Sequence, residues 1–270
     1  MMGKIIVCLS TIPPRSQQLN LVVDRLLRQT IRPDEIRVYV PKKYRRFGEA
    51  PEFPKLPALV NIVECPVDYG PATKILPALA DTQADEALIY CDDDIDYDHQ
   101  MIERLVKTSE QFPDACIADR GKLWRRVVYK YAKQNTPLAL RFLVSKAGRR
   151  YQGRIDIAEG YGGVLVKPRF FPNLVFSVPE ACWAVDDMWL SGCLEKNGTP
   201  IYLSSDRKFS KELPSSNVDG LRDLSVAGKR RNELNAYAIE FMRRNLGIWR
   251  LSGWSISDLV IEQAMKKFNY

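Results

Sequence analysis

The sequence predicts an α/β fold, a mostly parallel sheet flanked by helices, with a basic helical insertion and a helical C-terminal tail. Three observations predict it. Over roughly the first 119 residues, short β-rich runs alternate with helical patterns, as expected of strands joined by crossover helices. At 270 residues and 46% hydrophobic content, the chain can bury one substantial core. Three consecutive aspartates stand directly after one apolar run, the place where open α/β sheets put their ligands.

Each element follows from its own pattern. Lys4 to Ser10 is a first strand. After Pro13-Pro14, Ser16 can cap a helix whose apolar positions Leu19, Val22, Val23, Leu26 and Leu27 share one face. A second strand spans Glu35 to Val40, and a proline-rich loop leads to a third at Leu59 to Val63. Gly70-Pro71-Ala72-Thr73 opens a helix through Leu79, and Ala87 to Cys91 is the fourth strand. A helix from about Asp98 to Gln111 and a strand at Asp114 to Ala118 complete the regular half. Further on, a glycine turn enters a strand ending at Val166. Asp186-Asp187 start a helix that Asn197-Gly198 closes, and Ile201 to Leu203 is a late strand. From Lys229 onward the pattern is helical and basic.

Charge is unevenly placed. Lys and Arg total 40 against 33 Asp and Glu, a formal +7. The stretch Arg120 to Arg154 holds eleven Lys or Arg and no acid, which leaves the remainder at −4. Its interleaved Trp124, Tyr129, Tyr131 and Phe142 suit contact with an anionic acceptor or membrane surface. Arg243, Arg244, Arg250, Trp249 and Trp254 are expected to add to that surface. No uncharged apolar run reaches membrane-spanning length, and the N-terminus runs straight into the first strand, so the expected location is cytoplasmic, with peripheral contact at the inner face of the cell membrane. The six cysteines form no CxxC pair and read as reduced packing residues.

The chemistry concentrates in Asp92, Asp93 and Asp94. Adjacent carboxylates repel unless a cation or donors offset them, and a hard divalent cation, Mn²⁺ or Mg²⁺, is the natural partner where a nucleotide diphosphate is bound. Asp186 and Asp187 stand at a helix start, whose dipole steadies an ionised carboxylate able to take a proton. Lys74 follows a Gly-Pro turn at a helix start, a place suited to phosphate, and Arg15 is a second cationic candidate. His99, the single histidine, reads as a surface residue.

With these residues in place, the sequence resembles the GT-A glycosyltransferases, whose DxD motif stands after a strand of the nucleotide-binding half. Ser10-Thr11-Ile12-Pro13-Pro14-Arg15 is similar to the family's nucleotide loop, Gly70-Pro71-Ala72-Thr73-Lys74 resembles a segment of bacterial members, and Val185-Asp186-Asp187 resembles the acidic pair of inverting members. The resemblance implies a Rossmann-like GT-A domain over 1–225, with a nucleotide-binding half of about 1–119 and an acceptor half of about 120–225, and a basic helical tail over 226–270. It implies donor contacts from Thr11, Pro13, Arg15, Lys74, Asp92 and Asp93, with metal ligation by Asp94 or alternatively Asp92, completed by water or by a downstream carboxylate such as Asp206. It places catalysis on Asp187 as base with Asp186 beside it, and the acceptor near Gly162 and Gly163. The implied reaction moves a sugar from a nucleotide diphosphate sugar to a hydroxyl of a glycan or lipid-linked acceptor, with inversion, in surface glycan or lipid-linked saccharide synthesis. Nucleic acid is not an expected partner. The competing readings are a nucleotidyltransferase of related fold and a non-catalytic basic protein that binds nucleic acid or membranes.

Overall fold

Eight strands form the central sheet of the computed structural model, which describes residues 3–135, 153–206, 208, 210–220, 228–251, 256–266 and 268. They are β1 (Ile5–Ser10), β2 (Glu35–Pro41), β3 (Val60–Cys65), β4 (Ala87–Tyr90), β5 (Cys116–Ala118), β6 (Arg154–Ile155), β7 (Val164–Val166) and β8 (Ile201–Leu203). Their spatial order is β6-β8-β5-β7-β4-β1-β2-β3. β3, β2, β1 and β4 run parallel, as do β5 and β8. β7 is antiparallel to both β4 and β5, and β6 closes the far edge antiparallel to β8. A parallel sheet needs cover on both faces, and the helices supply it.

Strand side chains divide by the two-residue period. Ile6, Cys8, Leu88 and Tyr90 enter one apolar layer, while Val7, Leu9, Ile89 and Cys91 enter the other. The second layer is closed by α1 (Leu19–Leu27) and α3 (Met101–Gln111), through Leu19, Val22, Leu26, Met101 and Leu105. The first is closed by α2 (Leu76–Asp81), α4 (Trp124–Asn135), α5 (Asp186–Lys196), α6 (Arg231–Leu246) and α7 (Ile256–Met265). α6 places Leu234, Ala236, Ala238, Ile239 and Met242 in that layer, and α7 places Ile261 and Met265 there. α5 is covered on every side: Met188, Trp189, Leu190, Cys193 and Leu194 are all buried.

Two helices begin later than their sequence signals. Pro13–Gln18 forms a 3₁₀ turn in which Ser16 Oγ donates to Pro13 O at 3.0 Å instead of capping, so α1 starts at Leu19. The segment expected as one helix from Gly70 to Leu79 is a 3₁₀ turn over Gly70–Lys74 followed by α2. Pro77 explains the break: it has no N–H with which to continue the preceding turn, and it fits the first turn of a new helix.

The six cysteines are free and buried, and burial pushes the Cys8 thiol up to about 12. Among the described residues no helix is long and apolar enough to cross a membrane. Of the basic stretch 120–154, residues 136–152 lie outside the described residues, and with them Arg141, Phe142, Lys146, Arg149 and Arg150. Trp254 lies outside them too. Within the described part, Lys122 is paired with Glu159, and Arg125 with Asp258 of α7, so these two cations are committed internally. Arg126, Lys130 and Lys133 are exposed on α4. The expectation that Trp249 and Tyr131 face an outer basic surface is corrected: they are 5% and 6% exposed and pack in the core. Arg243 and Arg244 pair with Glu240, one turn earlier on α6.

The burial of α6 makes residues beyond 226 carry core energy. Ile239, fully buried, reduced to alanine should cost about 2–5 kcal/mol through lost burial and a residual cavity. Denaturant unfolding of Ile239→Ala checks this, and a midpoint equal to that of the unsubstituted protein would mean that the C-terminal helices add nothing to the fold.

Candidate active site

Parallel pairing of β1 with β4, in which Cys8 sits opposite Tyr90, brings the carboxyl ends of these two strands side by side. The turn after β1 and the acidic triplet after β4 therefore meet. Thr11 Oγ1 donates to Asp93 Oδ2 at 2.6 Å, and Tyr44 OH holds the turn by donating to Thr11 O at 2.8 Å. Asp92 N donates to Tyr97 OH at 2.8 Å, which fixes the backbone of the triplet. Arg15 Nη1 lies 2.9 Å from Asp93 Oδ1 and 2.9 Å from Asp94 Oδ2.

A later segment crosses the triplet. Lys211–Glu212 pairs antiparallel with Ile95–Asp96, and Leu213 N donates to Asp94 O at 2.7 Å. Arg15 Nε donates to Val218 O at 2.8 Å and ties the same segment down. It brings Glu212, Ser216 and Asp219 to the wall of a cleft of about 350 Å³.

The opposite wall comes from the start of α5. Lys74 Nζ lies 2.6 Å from Asp92 Oδ1 and 2.7 Å from Asp186 Oδ2. The side chains of both Lys74 and Asp186 are 4% exposed. Gly160 is what permits this approach, since a Cβ there would come within 2.5 Å of Lys74 Nζ. Gly160 N donates to Asp187 Oδ1 at 2.9 Å and orients that carboxylate. Asp186 does not cap α5; Val185 occupies the cap position and the Asp186 side chain goes to Lys74 instead.

These contacts divide the charges unequally. Burial works against the Lys74 ammonium, but Asp186, Asp92 and Asp187 outweigh it and raise its pKa well above the usual lysine range. Burial, followed by Asp92 and Asp93, pushes the Asp94 carboxyl up to about 7 despite Arg15. Burial and then Asp186 push Asp187 up to about 7, against the pull of Lys74. Eight carboxylates line the cleft against four cations. An anionic ligand therefore meets net repulsion there unless further positive charge accompanies it.

Thr11, Arg15, Lys74, Asp92, Asp93, Asp94, Asp186 and Asp187, all singled out in the sequence, line this one cleft. Pro13, Gly162 and Gly163 do not line it. The two glycines are buried, and a Cβ on Gly162 would come within 2.4 Å of the Arg120 side chain. His99 and Asp206 are exposed and outside the cleft lining. Sequence reasoning passed over Arg46, Asp68, Tyr161, Trp183, Glu212, Asp219 and Arg231, which also line it. Trp183 stands three residues before the acidic pair, a usable signal; Glu212 lies in the short strand beside Ile95–Asp96, Arg231 opens α6 and the others lie in turns or loops, none with a local motif. Its ring is braced by the Arg45 guanidinium at 4.4 Å, and its Nε1 donates to Asp68 O at 3.3 Å.

No family model matches the chain, and no curated protein matches it by sequence. Solved structures do. Glucosyl-3-phosphoglycerate synthase from Mycobacterium tuberculosis in complex with Mn²⁺, UDP and phosphoglyceric acid matches with a TM-score of 0.50 and 15% identity, over 93% of this chain and 80% of that one. The same enzyme with Mn²⁺, UDP-glucose and phosphoglyceric acid matches at 0.49 and 15% identity, over 92% and 81% of the two chains. S. aureus TarS matches at 0.49 and 10% identity, with 99% of this chain against 43% of that one. The parallel β3-β2-β1-β4 half, the antiparallel β7 beside β4 and the first of these matches together define the architecture: the chain has the fold of the GT-A glycosyltransferases.

Proposed function

We propose that the chain is a metal-dependent, inverting glycosyltransferase that moves a sugar from a nucleotide diphosphate sugar to a hydroxyl acceptor. The observation that carries this reading is the convergence in one cleft of the Asp92–Asp94 turn with the Asp186-Asp187 pair, joined through a single buried lysine. The first places carboxylates where a donor diphosphate and its cation belong. The second places a carboxylate that can accept a proton.

Asp187 is the proposed base. Its oxygen is oriented by Gly160 N, among the described residues no cation pairs with it, and a pKa of about 7 suits proton transfer near neutrality. In the proposed step the acceptor hydroxyl gives its proton to Asp187 as its oxygen bonds to the anomeric carbon. The bond from that carbon to the diphosphate oxygen breaks, and its electron pair leaves with the nucleoside diphosphate. Thr11, Arg15, Asp92 and Asp93 are proposed to position the donor. Lys74, committed to two carboxylates, is proposed to act on the donor through Asp92.

The residues fit Mn²⁺ or Mg²⁺. Asp94, with Asp92 as the alternative, is the proposed ligand, since burial and two acidic neighbours raise the Asp94 carboxyl even with Arg15 beside it. Among the described residues no three His, Cys, Asp or Glu side chains converge as a ligand set. A hard cation held by one or two carboxylates and by donor phosphates matches such a site. The chemistry such an ion supplies is neutralisation of the diphosphate as it departs.

The exposed Arg126, Lys130 and Lys133 on α4 support peripheral contact with the anionic inner face of a membrane carrying a lipid-linked or glycan acceptor. At about 1 kcal/mol per basic residue, replacing all three by glutamine should weaken binding to phosphatidylserine vesicles on the order of a hundredfold at low salt. Equal vesicle binding across a salt series would remove the membrane placement.

A panel of nucleotide sugars followed by thermal shift, with and without Mn²⁺, tests the function, because a ligand that binds only the folded state raises its stability. One donor stabilising the protein only with Mn²⁺ is the expected result; no response to any donor would sink the reading. Asp94→Asn should abolish the Mn²⁺-dependent shift while the free protein remains folded, with a melting temperature no lower than that of the unsubstituted protein. Asp187→Asn should leave donor binding near normal and cut turnover by roughly a hundredfold or more. The raised Asp187 pKa also costs stability. A folded-state value of about 7, against an ordinary carboxyl in the unfolded chain, gives a contribution that is present at low pH and lost as pH rises toward 7. Asp187→Asn should therefore raise the melting temperature at pH 8 on the order of 5 °C, and less at pH 5. An equal shift at both would show that Asp187 is not strained by its charge.

A further inference from the structure

Arg15 is the cation in contact with the proposed metal-binding carboxylate. A single nitrogen, Nη1, serves both Asp93 Oδ1 and Asp94 Oδ2 at 2.9 Å, and the side chain is 10% exposed. Nε is occupied by Val218 O. A guanidinium does not give up its proton, so it can leave Asp94 only by moving away. Asp94 differs from its neighbour in what else holds it. Asp93 has Thr11 Oγ1 as a second donor, whereas among the described residues Arg15 is the one side chain that donates to the Asp94 carboxylate.

A second cation approaching the same carboxylate meets like-charge repulsion from the first, strengthened by the partly desolvated cleft. We infer that Arg15 is the resident counter-cation of the triplet, a positioning residue that steadies Asp94 in the metal-free protein and is displaced from it by a divalent cation while keeping Asp93. The inference rests on the metal-dependent reading above. It deepens that reading in one respect: metal uptake and the 211–220 segment become linked, because the side chain that yields Asp94 also holds Val218. Lys74 cannot take this role, since its ammonium is spent on Asp92 and Asp186 on the other wall.

The test is Mn²⁺ binding to the full chain without nucleotide, followed through the electron paramagnetic resonance signal of free Mn²⁺. Arg15→Met removes the competing charge, and Mn²⁺ should bind about tenfold more tightly than to the unsubstituted protein. Arg15→Lys keeps the charge, and its affinity should stay within about threefold of the unsubstituted value. Should Arg15→Met not fold, Arg15→Gln, neutral but still able to donate a hydrogen bond, carries the same expectation. Adding Asp94→Asn to either neutral variant should abolish the gain. Affinity in the neutral variants no tighter than in the unsubstituted protein, equal gains in the lysine and neutral variants, or a gain that survives Asp94→Asn would each overturn the inference alone. If the unsubstituted protein takes up no Mn²⁺ even with UDP present, the metal reading itself fails and the inference falls with it.

Discussion

The buried ammonium of Lys74, held between Asp92 and Asp186, is the contact on which the cleft depends. Lys74 and Asp186 are withdrawn from water while Asp92 stays partly exposed, and losing one partner of a buried pair commonly costs about 3–5 kcal/mol because the other is left uncompensated. That cost locks together elements that are otherwise independent: the end of β4, the 3₁₀ turn before α2 and the first turn of α5. Gly160 belongs to the same arrangement, because any side chain there would occupy the space of the ammonium. By absorbing Asp92 and Asp186, Lys74 also decides which carboxylates stay poorly neutralised. Those are Asp94 on one wall and Asp187 on the other.

Whole-chain charge is a poor guide to such a place. A formal +7 coexists with a cleft where carboxylates outnumber cations two to one. The positive excess lies elsewhere in the chain, and part of it, as with Arg125 and Lys122, is consumed inside the fold. Sequence charge predicts the far field and solubility; the sign at a site depends on which side chains the backbone turns inward.

What could be read from the sequence follows the range of the forces involved. The runs of β1, β4 and β8 and the helix starting at Asp186 are local patterns, and the structure has them within a residue or two of the expected bounds. The position of the triplet after β4 is local as well, since it needs only the strand before it. The unbroken helix expected from Gly70 was not found, because a proline seven residues on outweighs a continuous apolar pattern. The partners of Lys74 and Arg15 were out of reach for a different reason. Nothing near Lys74 in the chain points to Asp186, and nothing near Arg15 points to Val218; only the sheet order brings them together. Gly162 and Gly163 read as a flexible turn open to ligand, yet they are buried, with Arg120 and Met101 filling the space a side chain would need.

The strand order has a consequence for how the chain is made. β7 lies between β4 and β5 and pairs with both, but Val164 leaves the ribosome roughly seventy residues after its partner Tyr90. At about 5–20 residues per second of synthesis, the inner edge of β4 waits on the order of several seconds for the strand that covers it. During that interval Leu88, Ile89 and Tyr90, all fully buried at the end, sit on an open sheet edge of the kind that recruits foreign strands. The Asp92–Asp94 turn directly after that edge supplies charge of one sign, which opposes association of two nascent chains through it. The acidic residues that line the finished cleft therefore also lie beside the edge of β4 while that edge is still unpaired.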